Sequence, residues 1–297
     1  MNRPTPRTID EYLDQLRDAL RGEDPALIQD ALYDAEDHLR SEFAENPGAS
    51  PAELLSRIAT SYGAPEEVAE IYRDKEIVVN RALRTPRPPP PKSVFARFFG
   101  VAVDPRAWAS MFYMLLALPT GIFYFTWAVA GVSLSFGLMI LVIGLPLTVL
   151  FLATVRALSL VEGRIIEVML GERMPRRPPY ASRNQPILEK VKALFTDART
   201  WGTLFYMVLM LPLGIFYFTL LVTSISLGVA LTISPIVEAL MGFGVIYFND
   251  DLLLAPIWLQ PFQVLLGIAI LFGFMHLARG IGKLQGALAK QLLVHAG

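Results

Sequence analysis

From Ala107 to Val155 the chain runs 49 residues without an Asp, Glu, Lys, Arg or His; further uncharged runs cover Thr200 to Val237 and Leu252 to Met275. A helix rises about 1.5 Å per residue and the bilayer hydrocarbon is about 30 Å thick, so about 20 apolar residues cross it. The first run therefore holds two spans, with a tight turn expected at Gly131 to Ser133. Four full spans are predicted near residues 107–130, 134–156, 201–223 and 261–281, with 225–245 a membrane-embedded or re-entrant extension.

The first 84 residues follow a different pattern, that of short, capped, amphipathic helices. Thr8 and Glu11 form a capping box ahead of Tyr12, Leu13, Leu16 and Leu20, with Gly22 as a stop. Asp24-Pro25 sets an N-cap before a proline at the first helical position. In the helix that follows, Leu27, Ala31, Ala35, Leu39 and Phe43 recur at four-residue spacing beside Leu32. That apolar stripe leaves Asp30, Asp34, Asp37 and Arg40 on an outer face, the candidate partner face. Ser50-Pro51-x-Glu53 reads as a second capping box, and Pro65 opens a fourth helix after Gly63. A small, self-contained helical bundle is expected over residues 1–84. Residues 85–92 are rich in proline, favour polyproline II and act as a semi-rigid spacer.

Beyond the spacer the chain repeats itself at an offset of 93 residues. Between Asp104–Leu134 and its copy, 18 of 31 positions are identical without a gap, including Asp104/Asp197, Trp108/Trp201, Pro119/Pro212 and Gly121/Gly214. Each copy has an amphipathic lead-in, Val94, Phe95, Phe98 and Val101 in one and Ile187, Leu188, Val191 and Leu194 in the other. The copies end alike, Arg156–Leu170 resembling Arg279–Leu293. Repeat one is set at residues 93–185 and repeat two at 186–297, the second lengthened by an insertion near 235–261. The expected fold is all-α, with a small bundle and a polytopic domain of two parallel repeats.

Charge then orients the spans. Nine Lys and Arg lie from Arg156 to Arg199, and none from Thr200 to Ala278. The positive-inside rule places the segment between the repeats, and with it both termini, in the cytoplasm. The first span is expected to serve as the insertion signal, since the polar, Pro-rich residues 1–7 lack an apolar signal region. With no cysteine there is no disulfide or thiolate chemistry, and a net charge of −1 gives no electrostatic case for direct nucleic-acid binding. His38, His276 and His295 are too scattered for a metal site, and no nucleophile-elbow, zincin or phosphate-loop spacing occurs. No catalytic residue, metal or cofactor is expected.

Two resemblances follow. Glu11-Tyr12-Leu13, the run Asp34 to Leu39, and Gly63-Ala64-Pro65-Glu66-Glu67-Val68-Ala69 resemble the HAAS-type signalling domain of bacterial membrane proteins, often encoded beside PadR-type transcription regulators. The Leu-Pro-x-Gly-Ile stretch, the Ser133-Leu134 and Ser226-Leu227 pairs and the Arg-bearing exit helices resemble the bacterial "putative sensor" membrane domain. Together they imply a sensor of the bacterial inner membrane that detects envelope state or an amphiphilic ligand. Its output would pass to a cytoplasmic PadR-type regulator or kinase. Self-association is left open. A lipid or small-molecule transporter and a membrane-organising protein are the alternatives.

The candidate signal region is the insertion with Glu238, Asn249, Asp250 and Asp251, since an ionisable residue at membrane depth is costly and functional by default. Pro119 with Gly121 and Pro212 with Gly214 are candidate helix hinges, because an internal proline removes a backbone donor.

Overall fold

A computed structural model describes the chain except for residues 1–4, 49, 84–92, 139–143, 178–196, 242–246, 249–250, 253–255 and 295–297. The proline spacer, the second lead-in, Asn249, Asp250 and His295 thus lie outside the described residues. The chain forms two compact units, one of Met1–Arg84, Ser135–Leu204 and Leu288–Gly297, the other of Thr85–Leu134 and Phe205–Ala287.

In the first unit, α1 (Ile9–Ala19), α2 (Pro25–Glu45), α3 (Pro51–Ser61) and α4 (Pro65–Leu83) make the bundle. Thr8 and Asp24 cap α1 and α2 as their sequence predicts, accepting from the Glu11 and Ala26 amides. Ser50 stands at the N-cap of α3 without a side-chain cap bond, so that capping box does not form. Gly22 and Gly63 take the left-handed backbone conformation that turns the chain between helices. The core is Tyr12, Leu13, Leu16, Leu20, Leu27, Leu39, Leu54, Leu55, Ile58 and Val68 with small residues between them. Burying each large aliphatic side chain stabilises the bundle by about 1.5–3 kcal/mol. The Tyr12 hydroxyl donates to the Gly63 carbonyl at 2.8 Å. His38 stacks on Tyr62 with ring centroids 4.2 Å apart.

Among the described residues, four helices are long and apolar enough to cross a membrane: α6 (Pro105–Leu138), α7 (Gly144–Met169), α8 (Ala198–Met241) and α9 (Gln260–Leu293). The chain is a multi-pass membrane protein. The turn expected at Gly131–Ser133 is absent, because α6 runs through it. A glycine in a helix costs only about 1 kcal/mol against alanine, less than leaving backbone groups unpaired in lipid. The next helix starts instead at Gly144, where Pro146 falls in a first turn whose amides lack intrahelical partners anyway. Of the membrane-embedded or re-entrant extension expected at 225–245, residues 225–241 continue α8, which runs unbroken through Pro212 and Pro235; the remainder lies outside the described residues. At 44 residues that helix is about 66 Å long, twice the hydrocarbon thickness. Beyond it Tyr247–Phe248 pairs antiparallel with Asp251–Leu252 in a minimal hairpin.

In the second unit, α5 (Val94–Phe99) and a 3-10 turn (Gly100–Val103) lead into α6. Val94 and Phe95 are exposed, whereas Val101 is buried with Ala107 and Met275. Phe98 and Phe99 pack on Phe272, and His276 Nε2 lies 3.1 Å from the Phe98 carbonyl. The first lead-in expected from the sequence is thus helical over Val94–Phe99.

Candidate functional site

The polar end of α7 is shaped by Gly171. The amides of Leu170 and Gly171 both bond to the Ile166 carbonyl, and the left-handed backbone at Gly171 takes the chain off the helix. The next six residues lie along α2 and α4. Arg173 is buried there: Nη2 meets Asp30 Oδ2 at 2.9 Å, and Nε meets Glu76 Oε2 at 3.2 Å. Nη1 donates to the Met174 carbonyl at 2.6 Å, with Glu167 3.7 Å away. The second Asp30 oxygen accepts the amides of Arg176 and Arg177 at 2.7 and 2.8 Å. Burial pushes the Asp30 carboxyl above its ordinary value, against the pull of those amides and Arg173. Burial alone would lower the Arg173 guanidinium, but Asp30 and Glu76 hold it above its usual value. The pair is charged and enclosed, so its geometry is specific and losing one partner is expensive.

Two further helix ends reach the bundle. Arg199, in the first turn of α8, donates to Gln29 Oε1 at 2.6 Å, and Gln29 in turn donates to the Arg177 carbonyl. Lys290, in the last turn of α9, meets Asp24 at 2.5 Å. The end of α7, the start of α8 and the end of α9 thus converge on α2, as an even number of spans between them requires.

The candidate partner face is divided by this arrangement. Asp30 is buried against residues 173–177, and Asp34 pairs with Arg177 at 2.9 Å while accepting from the Tyr72 hydroxyl. Arg40 meets buried Glu36 at 2.6 Å. Asp37 is exposed. Sequence reading missed Arg173, Glu76, Glu167 and Arg199. The available signal was the dense run of charge after a helix-ending glycine.

The candidate hinges meet in the second unit. A Cβ on Gly121 would lie 2.9 Å from the Met210 carbonyl carbon, and one on Gly214 would lie 2.8 Å from that of Ala117. Pro119 and Pro212 sit two residues before the crossing glycines, inside unbroken helices. Each repeat's N-terminal aspartate caps its own helix and pairs with the other repeat's exit arginine. Asp104 caps α6 and meets Arg279 at 2.9 Å, while Asp197 caps α8 and meets Arg156 at 2.8 Å.

Near the crossing lies a buried polar group that the sequence reading did not single out. Gln285, 1% exposed, donates to the hydroxyls of the repeat mates Tyr113 and Tyr206 at 3.2 and 3.0 Å and accepts from Tyr217 at 2.9 Å. Its counterpart in the first repeat, Glu162, is also buried. In the candidate signal region, Glu238 is half-buried on α8 and accepts from Gln260 at 3.4 Å. Asp251 belongs to the hairpin.

Among the described residues these arrangements join helices through ion pairs and hydrogen bonds, and none of them sets a nucleophile beside a base. Among known families, one described as "putative sensor" matches residues 113–293. No curated protein and no solved structure matches the chain.

Proposed function

The chain belongs to the "putative sensor" family, and from that premise we propose that it is a bacterial inner-membrane signalling protein. The duplicated membrane helices detect envelope state or an amphiphilic ligand. The bundle, read as a HAAS-type domain with both termini cytoplasmic, relays the change to a PadR-type regulator or a kinase. The observation that carries this reading is the convergence of three span ends on the bundle, with Arg173 held between Asp30 and Glu76. Any shift among α7, α8 and α9 would be felt at α2, and Asp37 on α2 offers an exposed charge to an output partner. The reading favours a non-enzyme.

The test pairs the full chain in lipid nanodiscs with a purified PadR-type regulator from the same bacterium. Asp37→Lys should weaken that binding while leaving the thermal unfolding of the chain unchanged, and expression of the regulator's target genes should change when the chain is deleted. Unchanged transcription on deletion would sink the proposal. The buried Gln285 and tyrosine cluster among the apolar helices is the feature a transporter would use. Solute flux in proteoliposomes that Gln285→Leu abolishes would favour that alternative.

A further inference from the structure

Between the bundle and the polar end of α7 lies a cavity of about 420 Å³, within the range of about 300–1,000 Å³ usual for small-ligand sites. Lys75, Arg164, Arg173, Arg176 and Arg177 line it, against the three carboxylates of Asp30, Asp34 and Glu76. We propose that this cavity binds a phosphate-bearing anion, either the headgroup of an anionic phospholipid or a free phosphorylated solute.

The carboxylates are already matched. Asp30 holds Arg173 and two backbone amides. Glu76 holds Arg173 and Asn80, and Asp34 holds Arg177 and Tyr72. The cations have reach beyond those contacts. Arg164 directs Nη1 to Glu167 and Arg176 directs Nη2 to the same carboxylate, yet each guanidinium carries five N–H donors in a fork suited to phosphate oxygens. The Arg164 and Arg176 side chains are 52% and 41% exposed, so they can turn to a ligand while Arg173 stays fixed beneath them. Lys75 holds its ammonium 5.3 Å from the centre of the Tyr72 ring, and it too is exposed.

Arg164 lies eight residues beyond Arg156, about 12 Å along the axis, and Arg156 pairs with Asp197 at the start of α8. The cavity therefore sits on the polar side of these helix ends, where the chemistry suits a headgroup or a solute alike. The site is independent of which protein the bundle engages.

The test uses the full chain in neutral detergent, followed by thermal unfolding. The probes are dihexanoyl phosphatidylglycerol, dihexanoyl phosphatidylcholine and glycerol 3-phosphate at matched ionic strength. Phosphatidylglycerol should stabilise the chain and phosphatidylcholine should not. The Lys75→Gln/Arg164→Gln variant should need about tenfold more phosphatidylglycerol for the same shift, the equivalent of about 1.4 kcal/mol. Lys75→Arg/Arg164→Lys, which keeps the charge, should retain most of the effect. Stabilisation by glycerol 3-phosphate as well would assign the site to a free solute, and stabilisation by the lipid alone to a headgroup. A shift that survives in the glutamine variant, or no shift with either phosphate probe, overturns the proposal.

Discussion

The Arg173 guanidinium meets Asp30 at 2.9 Å across 143 positions of sequence, and both groups are buried. The contact ties the exit of a membrane helix to the second helix of the N-terminal bundle. It holds there because Glu76 completes the cage on the other side.

Arg173→Met in the full chain should therefore be severe. It leaves Asp30 and Glu76 enclosed without their cation, a loss of about 3–5 kcal/mol for breaking a buried pair. Thermal unfolding should fall sharply and protease should cut the bundle sooner. Adding Asp30→Asn should restore part of the loss, since the two substitutions act on one contact. A loss below about 1 kcal/mol would mean that the pair behaves as a surface bridge.

The glycine crossing gives a comparison with its own control. Gly121→Ala and Gly214→Ala each place a methyl group against the carbonyl of the facing helix, and overpacking of this kind costs about 1–3 kcal/mol. The two losses should be similar. Gly273→Ala, in α9 with nothing within 4 Å of its Cβ position, should be neutral or gain up to about 1 kcal/mol of helix propensity. Equal stability of all three variants, read by thermal unfolding, would remove the crossing as a packing constraint.

Orientation can be read directly, because the chain has no cysteine. Ile257→Cys, on the exposed turn before α9, should react with an impermeant maleimide in intact cells. Gly297→Cys should be protected until the cells are opened. The opposite pattern would reverse the assignment of the cytoplasmic side.

The four apolar helices among the described residues and the bundle core were legible because each rests on local or periodic signals. Leu27, Ala31, Leu39 and their neighbours show the helical stripe, and Asp104 and Asp197 announce themselves by recurring in the same context. The joint was not legible. On a helical wheel Asp30 falls off the apolar stripe of α2, which suggests solvent, and nothing within the helix reveals that residues 173–177 cover it. The end of α6 was misplaced for a similar reason. Gly131 and Ser133 are turn formers in water, but in an apolar helix their weak propensity yields to the backbone bonds that continue it.

The crossing also bears on how the two halves are held together. Gly121 faces Met210 as Gly214 faces Ala117, and each pair maps onto the other under the 93-residue offset. A residue i meeting j while j meets i is the mark of an isologous dimer, here written into one polypeptide. Within one polypeptide the two faces are held at a fixed ratio, and their meeting does not depend on the protein's concentration. The two halves are also free to differ, with Glu162 in one where Gln285 stands in the other.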